Sequence, residues 1–397
     1  MLPEGWKLRT VSDVGSVITG STPKTSDETL YDGPVPFVSP ADLGTGRPVT
    51  STSKTLTEKG FATTRRIRKG STLFTCIGST IGKIGLAGVD LATNQQINSV
   101  VPNSSHDDKF IYYALALRSR HIAMLAGKQA VPIINKSMFS DQPILTPPLP
   151  EQKKIAQILS TWDNAISATE RLLENSQQRK KALMQQLLTG KKRLPGFEGE
   201  WVKEHLIDIV KIETGSSKSA FVNDNGSNFI IDMGSVTRSG RLNPTKKTSL
   251  DGPYLITGQL VMPKDDIGGG NIIGRVGVIP EDNKYILADH VYALTSLGPV
   301  DSHFLGYLIN SDIVNKSLRR KANGTAQLGL GRKDVEKQEV LIPADIVEQQ
   351  AIANVLTTAE QEIDALQKRI GHLKQEKKAL MQQLLTGKRR VQVGDAA

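Results

Sequence analysis

The sequence predicts a mixed α/β protein made of two related α/β domains and two long antiparallel coiled-coil helices. Three observations predict this fold class. The twelve residues Lys180–Lys191 recur letter for letter as Lys377–Lys388, half a chain length later in a chain of 397 residues. Each copy ends a stretch with helical periodicity, and each stretch follows a segment of short strand-like runs and turns. The chain is therefore one unit written twice.

The composition is that of a basic globular protein. Hydrophobic residues make up 38% and charged residues 23% of the chain, and the formal net charge is +10. A basic balance favours a polyanionic partner, although charge alone does not distinguish a nucleic-acid-binding protein from a merely basic one. The single cysteine, Cys76, excludes an internal disulfide and a cysteine-based zinc site. We find no signal region and no run of about 18 apolar residues, so we expect a soluble, cytoplasmic protein without membrane contact.

The pattern of residues 1–150 predicts the first α/β domain, in which short strands are joined by Gly- and Pro-rich turns. The periodicity of Asp108–Leu125 predicts one helix within it. The strands are predicted at Val14–Thr19, Pro36–Ser39, Ser71–Ile77, Lys83–Ala87 and Ile97–Val101.

Residues 151–193 and 344–390 predict the two long helices. Glu151–Thr189 contains neither Gly nor Pro, and at 1.5 Å per residue it would extend about 58 Å. Positions alternately four and three residues apart form a narrow a/d seam, apolar except for polar residues in its middle, which predicts that the helices pack on each other. Lys180 and Lys377 occupy the same polar position of the two seams, and Gly371 leaves the straightness of the second helix open. The apolar seam residues are Ile155, Leu159, Trp162, Ile166, Leu173, Leu183 and Leu187 in the first helix, and Ile352, Leu356, Ile363, Leu366, Ile370, Leu373, Leu380 and Leu384 in the second.

Residues 194–343 predict a second copy of the first domain, and residues 391–397 form a short tail. Shared anchors with diverged loops suggest two copies of one task with different targets. The anchors are Trp6–Gly20 with Trp201–Gly215, Phe37–Val38 with Phe229–Ile230, and Ile81–Gly85 with Ile273–Gly277.

The order domain, helix, domain, helix constrains the geometry. The first helix leads directly into the second domain, so the domains are predicted at its opposite ends. If each domain relates to its helix in the same way, the helices are antiparallel and a pseudo-two-fold axis lies between them. The end of the second helix would then lead back to the start of the chain, which predicts neighbouring termini.

No catalytic motif is recognisable. The sequence lacks a phosphate-binding GxxxxGK[ST] loop, a HExxH motif, a metal-spaced Cys/His cluster and an amino-methyltransferase or nuclease signature. The run Gly268–Gly270 is not followed by a helical pattern, so a hairpin turn is favoured over a cofactor loop. For His290, a structural or DNA-facing role is favoured over that of a general base. We therefore expect no catalysis and no metal or cofactor bound by this chain.

The candidate DNA contacts are polar loops, which suit bonds to base edges or backbone, and basic runs, which suit phosphates. Each has a plainer interpretation: a surface turn, a solvated charged face, or, for the two Ile-Gly-x-x-Gly motifs, a glycine turn. The basic helix ends Lys191–Arg193 and Lys388–Arg390 either contact DNA or complement the helix dipole. The candidates are Ser21, Thr22, Lys24, Arg65, Arg66, Arg68, Lys83, Lys128, Gln129 and Lys136 in the first domain, and Ser216, Ser217, Lys218, Arg238, Arg241, Lys246, Lys247, Arg275, Arg319, Arg320 and Lys321 in the second.

Several segments of the chain form a recognisable pattern, namely Leu2–Trp6, Ile81–Gly85, Pro148–Ile155 and Gln185–Arg193, with the second copies Glu348–Ile352 and Gln382–Arg390. On these segments, and over its whole length, the chain resembles the specificity (S) subunit of a type I restriction–modification enzyme. The second copy departs from the pattern at Ile342–Asp345, where the first copy is rich in proline.

The resemblance implies that each α/β domain is a target-recognition domain for one half of a bipartite, asymmetric sequence in double-stranded DNA. The helices would set the spacer and dock two methylation (M) subunits, and restriction (R) subunits would join them. S-adenosylmethionine, ATP and Mg would be bound by those partner subunits. The alternative is a protein–protein scaffold with coiled-coil assembly and no sequence-specific readout; the basic charge and the diverged basic loops favour DNA.

Overall fold

The computed structural model describes residues 2–127, 131–324 and 327–392. The chain divides into two compact units, residues 1–172 with 366–397, and residues 173–365. Each unit therefore contains one α/β domain, the first half of the helix that follows it and the second half of the other long helix. The domain boundaries drawn from the sequence stay predictions, since compactness assigns each long helix to both units.

The domain of the first unit places its strands in two small sheets and one terminal pair. A four-stranded antiparallel sheet has the order β2-β8-β5-β6, a three-stranded sheet has the order β4-β3-β7, and β1 pairs with β9. The strands are β1 Lys7–Thr10, β2 Gly15–Thr19, β3 Tyr31–Val38, β4 Thr55–Leu56, β5 Thr72–Thr75, β6 Ile84–Leu86, β7 Ala92–Thr93, β8 Ile97–Pro102 and β9 Pro143–Thr146. The helices are α1 Val11–Val14, α2 Glu58–Ala62, α3 Asp108–Ala123, α4 Lys136–Ser140 and the long α5 Leu149–Leu187.

The domain of the second unit has the same sheets in the same order. The four-stranded sheet is β11-β18-β14-β16, the three-stranded sheet is β13-β12-β17, β10 pairs with β20, and β15 pairs with β19 as an addition. The strands are β10 Trp201–His205, β11 Val210–Thr214, β12 Asn228–Ile231, β13 Lys247–Thr248, β14 Leu260–Pro263, β15 Asp265–Asp266, β16 Gly277–Val278, β17 Tyr285–Leu287, β18 Val291–Ser296, β19 Leu328–Gly329 and β20 Glu339–Pro343. The helices are α6 Leu206–Ile209, α7 Ser302–Asn310, α8 Asp312–Lys321, α9 Arg332–Glu336 and the long α10 Ile346–Leu384. The predicted duplication of one mixed α/β domain is confirmed.

One predicted equivalence between the domains is wrong by one residue. The backbone N–H of Asn94 donates to the carbonyl of Val38, and the backbone N–H of Ala288 donates to the carbonyl of Ile231. These bonds pair Val38 with Ile231, whereas the letters suggested Ile230. Chemically similar neighbours allow either alignment, and only the hydrogen bonds distinguish them.

The long helices α5 and α10 each contain 39 residues. Helix α5 begins at Leu149, earlier than predicted, because Pro150 lies in the first turn, where no amide donor is required. Helix α10 runs without interruption through Gly371.

Within each unit the helix halves are antiparallel, as predicted. In the first unit Asp163 and Glu170 of α5 pair with Lys377 and Lys374 of α10, so numbers rise along one helix as they fall along the other. In the second unit Ser176 and Lys180 of α5 meet Glu362 and Glu360 of α10 in the same sense. None of the seam residues is exposed.

Each hydrophobic core joins its domain to both helix halves. The first core contains Phe110 and Ile111 of α3 with Ile155 of α5 and Leu384 of α10. The second contains Phe304 and Leu305 of α7 with Ile352 of α10 and Leu187 of α5. A fully buried Leu or Ile contributes about 1.5–3 kcal/mol, so each unit depends on residues from both long helices.

The two ends of the chain meet in the first unit, which confirms the prediction. Arg390 donates to the carbonyl oxygen of Glu4 over 3.1 Å, and Gly387 lies beneath Pro3 and Trp6. Within the described part of the chain, we find no helix whose length and apolar content would allow it to cross a bilayer.

Candidate nucleic-acid interface

Three residues join each domain to its two helix halves. In the first unit the Tyr113 hydroxyl donates to Asp163 over 2.5 Å, and the Lys377 ammonium donates to the same carboxylate. Lys377 also lies 5.1 Å from the centre of the Tyr113 ring. Burial, reinforced by the carboxylate, raises the pKa of Tyr113, so its hydroxyl remains a donor.

The second unit repeats this arrangement with Tyr307, Glu360 and Lys180. The hydroxyl–carboxylate distance is 2.9 Å and the ammonium–carboxylate distance is 3.1 Å. Burial opposes ionisation of Glu360, but Lys180 and Tyr307 outweigh it and hold its pKa below the ordinary value. The lysine at this seam position therefore helps to hold each domain against both long helices.

The Glu-Gln pair that opens each long helix is buried. Glu151 forms a two-pronged ion pair with Arg390, and Trp6 donates its indole N–H to the same carboxylate over 3.2 Å. Glu348 forms the corresponding pair with Arg193 at 2.5 and 2.6 Å. These bonds give the two arginines a role that differs from both sequence interpretations of the helix ends, because their partner is a carboxylate of the other long helix.

The glutamines secure the same junction. Gln152 accepts from the amide of Asp107, the N-cap of α3, and donates to the carbonyl of Pro147. Gln349 makes the matching bonds to Asp301, the N-cap of α7, and to Pro343. The glutamines thus join α3 and α7 to the end of the strand that precedes each long helix.

The polar loop after β2 lies beside the first basic run and beside Gln95. Ser21 accepts from the amide of Arg65, whose guanidinium donates to the carbonyl of Thr19 over 2.8 Å. Thr22 donates to the side-chain oxygen of Gln95 over 2.5 Å, and Lys24 is exposed. The structure therefore brings a hydroxyl, an amide and two cations to one end of the first domain.

The matching loop after β11 is also polar. Lys218 donates to the hydroxyl of Ser216 over 2.8 Å, and Ser217 bonds Ser219. Ser216 and Ser217 are exposed.

The remaining members of the first basic run are engaged within the unit. Arg66 lies over the ring of Phe61 at 4.6 Å. Arg68 forms a two-pronged ion pair with Asp108 at 2.7 and 2.8 Å, and these hydrogen bonds raise the pKa of the guanidinium. A guanidinium paired in this way has less of its charge available to a phosphate than Arg65 has.

Lys83 and Arg275 turn towards their own domains. Each follows a glycine with positive φ, Gly82 at 91° and Gly274 at 65°, as a tight turn requires. Lys83 donates to the carbonyl of Pro40 and Arg275 to that of Asn310. Burial lowers the pKa of Arg275, whose Nε is buried without a partner in the described structure.

The cations of the segment between β12 and β13 differ in their surroundings, since some of them pair with carboxylates of the same unit. Arg241 pairs with Glu360 and Asp364 of α10, each at 2.6 Å, and Lys246 pairs with Asp232 at 2.7 Å. Arg238 and Lys247 are exposed, and Lys246 is exposed as well despite its ion pair.

The basic residues at the end of α8 also differ in their surroundings. Lys321 donates to Gln338 over 3.1 Å, which turns it inward. Arg319 and Arg320 are exposed and, with Lys316 and Gly270, line a cavity of about 280 Å³. Two of the sequence candidates of the second domain therefore share one surface recess.

Lys136 is exposed at the start of α4. The candidates Lys128 and Gln129 lie outside the described residues. The DNA contacts proposed from the sequence stay predictions as a set. Sequence reasoning did not single out Gln95 or Asp289. Each belongs to a polar pair directly before a buried strand, and that signal could have found them.

A family model described as the type I restriction modification DNA specificity domain matches residues 3–175 and again residues 198–375. The chain belongs to this family. The double match agrees with the duplicated sheets and with the junctions at Glu151 and Glu348.

Two curated relatives match along nearly the whole chain, and a third matches less than half of it. The type I restriction enzyme MjaVIII specificity subunit of Methanocaldococcus jannaschii is 26% identical, over 98% of this chain and 94% of its own length. The MjaIX specificity subunit of the same organism is 24% identical, over 98% and 95%. The HindI specificity subunit of Haemophilus influenzae is 31% identical over 45% of this chain and 39% of its own length.

Solved structures share the fold. The S subunit of a type I restriction–modification system from M. genitalium superposes with a TM-score of 0.66 at 15% identity, covering 96% of both chains. A structure from work on complex assembly and conformational transition of the type I R-M system gives a TM-score of 0.60 at 17% identity, covering 98% of this chain and all of the other. At these identities the likeness establishes the fold.

Proposed function

We propose that this chain is the sequence-reading subunit of a type I restriction–modification complex, in which each α/β domain reads one half of a bipartite, asymmetric DNA target. The supporting observation is the exact repetition of sheet order with unlike loops at equivalent strand ends. One scaffold used twice provides two sites of the same kind, and different loops provide different half-sites. The basic net charge supports DNA rather than a polypeptide as the ligand.

The partner subunits supply the chemistry in this proposal. Methyl transfer uses S-adenosylmethionine bound by M subunits, and ATP and Mg belong to partner subunits as well. This chain contributes target choice and spacing and catalyses no step itself. The cytoplasm, where the DNA lies, is the proposed location.

The exposed face of the repeated helix ends is the proposed M-subunit contact. Inward-facing repeat residues such as Leu187 and Lys180 have an internal reason to be identical in both copies, because they make equivalent contacts in the two units. Exposed residues have no such reason to be identical. Just before the repeat, for example, the exposed residues Arg179 and Glu376 occupy equivalent positions and differ. Within the repeat, the exposed residues are nevertheless identical, namely Lys181, Ala182, Gln185 and Gln186 with Lys378, Ala379, Gln382 and Gln383. Two copies of one partner, each meeting one of these faces, explain this pattern.

A charge placed on that face tests the contact. Ala182→Glu combined with Ala379→Glu should abolish association with the M subunit, because a carboxylate replaces a small side chain that allows close helix approach. Each single variant should retain one M subunit per chain, as measured by light scattering of the purified complex. Asn175→Glu, at an exposed position outside the repeat, is the control. Two bound M subunits in the double variant would contradict the assignment.

A domain exchange tests the function itself. Replacing residues 1–150 with the corresponding domain of a relative should change one half of the methylated sequence and leave the other half unchanged. The measurement is a genome-wide map of methylated adenines in cells that carry the complete system. A change in both halves, or in neither, would contradict modular reading.

The helices are proposed to set the spacer. Inserting seven residues into both α5 and α10, after Leu172 and after Ala365, preserves the seam register and adds about 10 Å. The methylated sequence should gain about three unspecified base pairs at 3.4 Å each. An unchanged spacer in an assembled, active complex would count against the ruler.

A further inference from the structure

Two loops occupy the same place in the two domains. Residues 94–96 connect β7 to β8, and residues 288–290 connect β17 to β18. In each domain the connected strands belong to the two different sheets. The loops therefore lie where the two sheets of a domain meet.

The backbone support of these loops is the same in both domains. The amide of Asn94 donates to Val38 and that of Ala288 to Ile231, at 3.0 Å in each case. The strand beside each loop ends in a glycine, Gly20 or Gly215, against the carbonyl of Asn94 or Ala288. A β-carbon on either glycine would overlap that carbonyl, so the close approach requires glycine.

The side chains on this shared support are chemically different. In the first domain Gln95 is exposed and Gln96 is half-buried; in the second, Asp289 is half-buried and His290 is exposed. Amides donate and accept, whereas a carboxylate only accepts. The two loops therefore share their backbone hydrogen bonds and differ in the side chains that they present.

Both loops are held in position by neighbours. Thr22 donates to the side-chain oxygen of Gln95, which leaves the amide protons and a second lone pair of that oxygen for a ligand. Asp265 contacts Nδ1 of His290 at 2.5 Å, and the backbone of His290 has φ of 65°, which is uncommon for a residue with a side chain. Cations flank the loops, with Arg65 docked on the end of β2 and Lys218 in the loop after β11.

We propose that residues 94–96 and 288–290 are the base-reading loops of the two domains. This inference rests on the proposed function. A glutamine amide matches the donor and acceptor pair of adenine in the major groove, and an aspartate matches the amino group of cytosine. Gln95 therefore reads an adenine in one half-site and Asp289 reads a cytosine in the other. A carboxylate so close to a polyanion is tolerated because it accepts a hydrogen bond from that amino group.

The test exchanges the amide and the carboxylate between the two loops. It uses the full-length chain together with its partner subunits. Gln95→Ala should relax one position of one half-site, with a loss of preference of about tenfold or more. Gln95→Glu should move that preference from adenine to cytosine, and Asp289→Asn should do the reverse in the other half. Genome-wide maps of methylated sites give the preferences, and thermal unfolding verifies that each variant is folded.

Lys24→Ala, in the exposed loop beside Gln95, is the matched control. Loss of a phosphate contact should weaken all sequences about equally and leave the base preference unchanged. If the unaltered protein methylates a bipartite sequence and the Gln95 and Asp289 variants retain it, the loops do not read bases and only this inference fails. Folded variants that lose methylation at all sites equally would also overturn it. If the unaltered protein directs methylation to no bipartite sequence, the proposed function itself fails.

Discussion

The ammonium of Lys180 on the first long helix lies 3.1 Å from the carboxylate of Glu360 on the second. The hydroxyl of Tyr307, from the second domain, bonds the same carboxylate. Three segments distant in the sequence therefore meet at one half-buried charge. The repetition of this contact by Lys377 and Asp163 explains why a lysine occupies the same seam position in both helices.

Removing this lysine should destabilise the second unit. Lys180→Ala removes one of the two cations that pair with the Glu360 carboxylate and leaves Arg241 at 2.6 Å, at a cost of about 1–3 kcal/mol. Denaturant unfolding measures the loss, and a double-mutant cycle with Glu360→Ala isolates the pair. Lys181→Ala, one position away and exposed, should change little. Equal effects of the two lysine substitutions would show that the pairing does not stabilise the unit.

The same carboxylate predicts a pH dependence. The pKa of Glu360 is held below its ordinary value of 4.5 in the folded chain. A lowered folded pKa contributes stability above the unfolded value, and this contribution is lost as the pH falls through the folded value. Glu360→Gln should therefore be less stable than the unaltered chain near neutral pH, and the difference should shrink below about pH 4.5. A difference that is constant from pH 7 to pH 3 would exclude this linkage.

The two arginine–glutamate junctions should differ in strength. The side chain of Arg193 is 27% exposed and that of Glu348 is 1% exposed, whereas Arg390 is 45% exposed. Arg193→Ala leaves a buried carboxylate without its partner, which costs about 3–5 kcal/mol. Arg390→Ala should cost less, because solvent reaches the guanidinium and screens the pair.

A lysine should not restore the Arg193 junction. The guanidinium makes two parallel bonds to Glu348, and an ammonium cannot reproduce that geometry. Thermal unfolding of Arg193→Lys should therefore resemble that of Arg193→Ala. Full recovery by lysine would show that charge alone matters at this junction.

Two glycines of the second helix region should respond in opposite directions to alanine. Gly387 has φ of 71° and lies against Pro3, so Gly387→Ala should destabilise the chain by about 1–2 kcal/mol. Gly371 lies within α10, and a β-carbon there would meet no atom within 4 Å, so Gly371→Ala should stabilise it by about 0.5–1 kcal/mol. Thermal unfolding of the two variants measures both signs, and a stabilising Gly387→Ala would contradict the left-handed helix end.

From the amino-acid sequence alone we could predict the duplication, the two long helices and their seam. Identical peptides fold alike, and a periodicity maintained from Ile155 to Leu187 leaves one face for a partner helix. The antiparallel arrangement also followed from the sequence, because the order of domains and helices allows the second copy to repeat the first in few other ways. Gly371 did not stop α10, since packing along the seam outweighs a propensity of about 1 kcal/mol.

Only the tertiary structure decided which charges remain for a ligand. Arg68, Arg193 and Arg241 look alike in the sequence to Arg65 and Arg319, yet each pairs with a carboxylate that is distant along the chain. The same holds for Gln95 and Asp289, whose equivalence rests on backbone bonds between strands of different sheets. Local sequence determines what a side chain can do, whereas its partners depend on contacts between remote segments. Those contacts form only when the hydrophobic cores close.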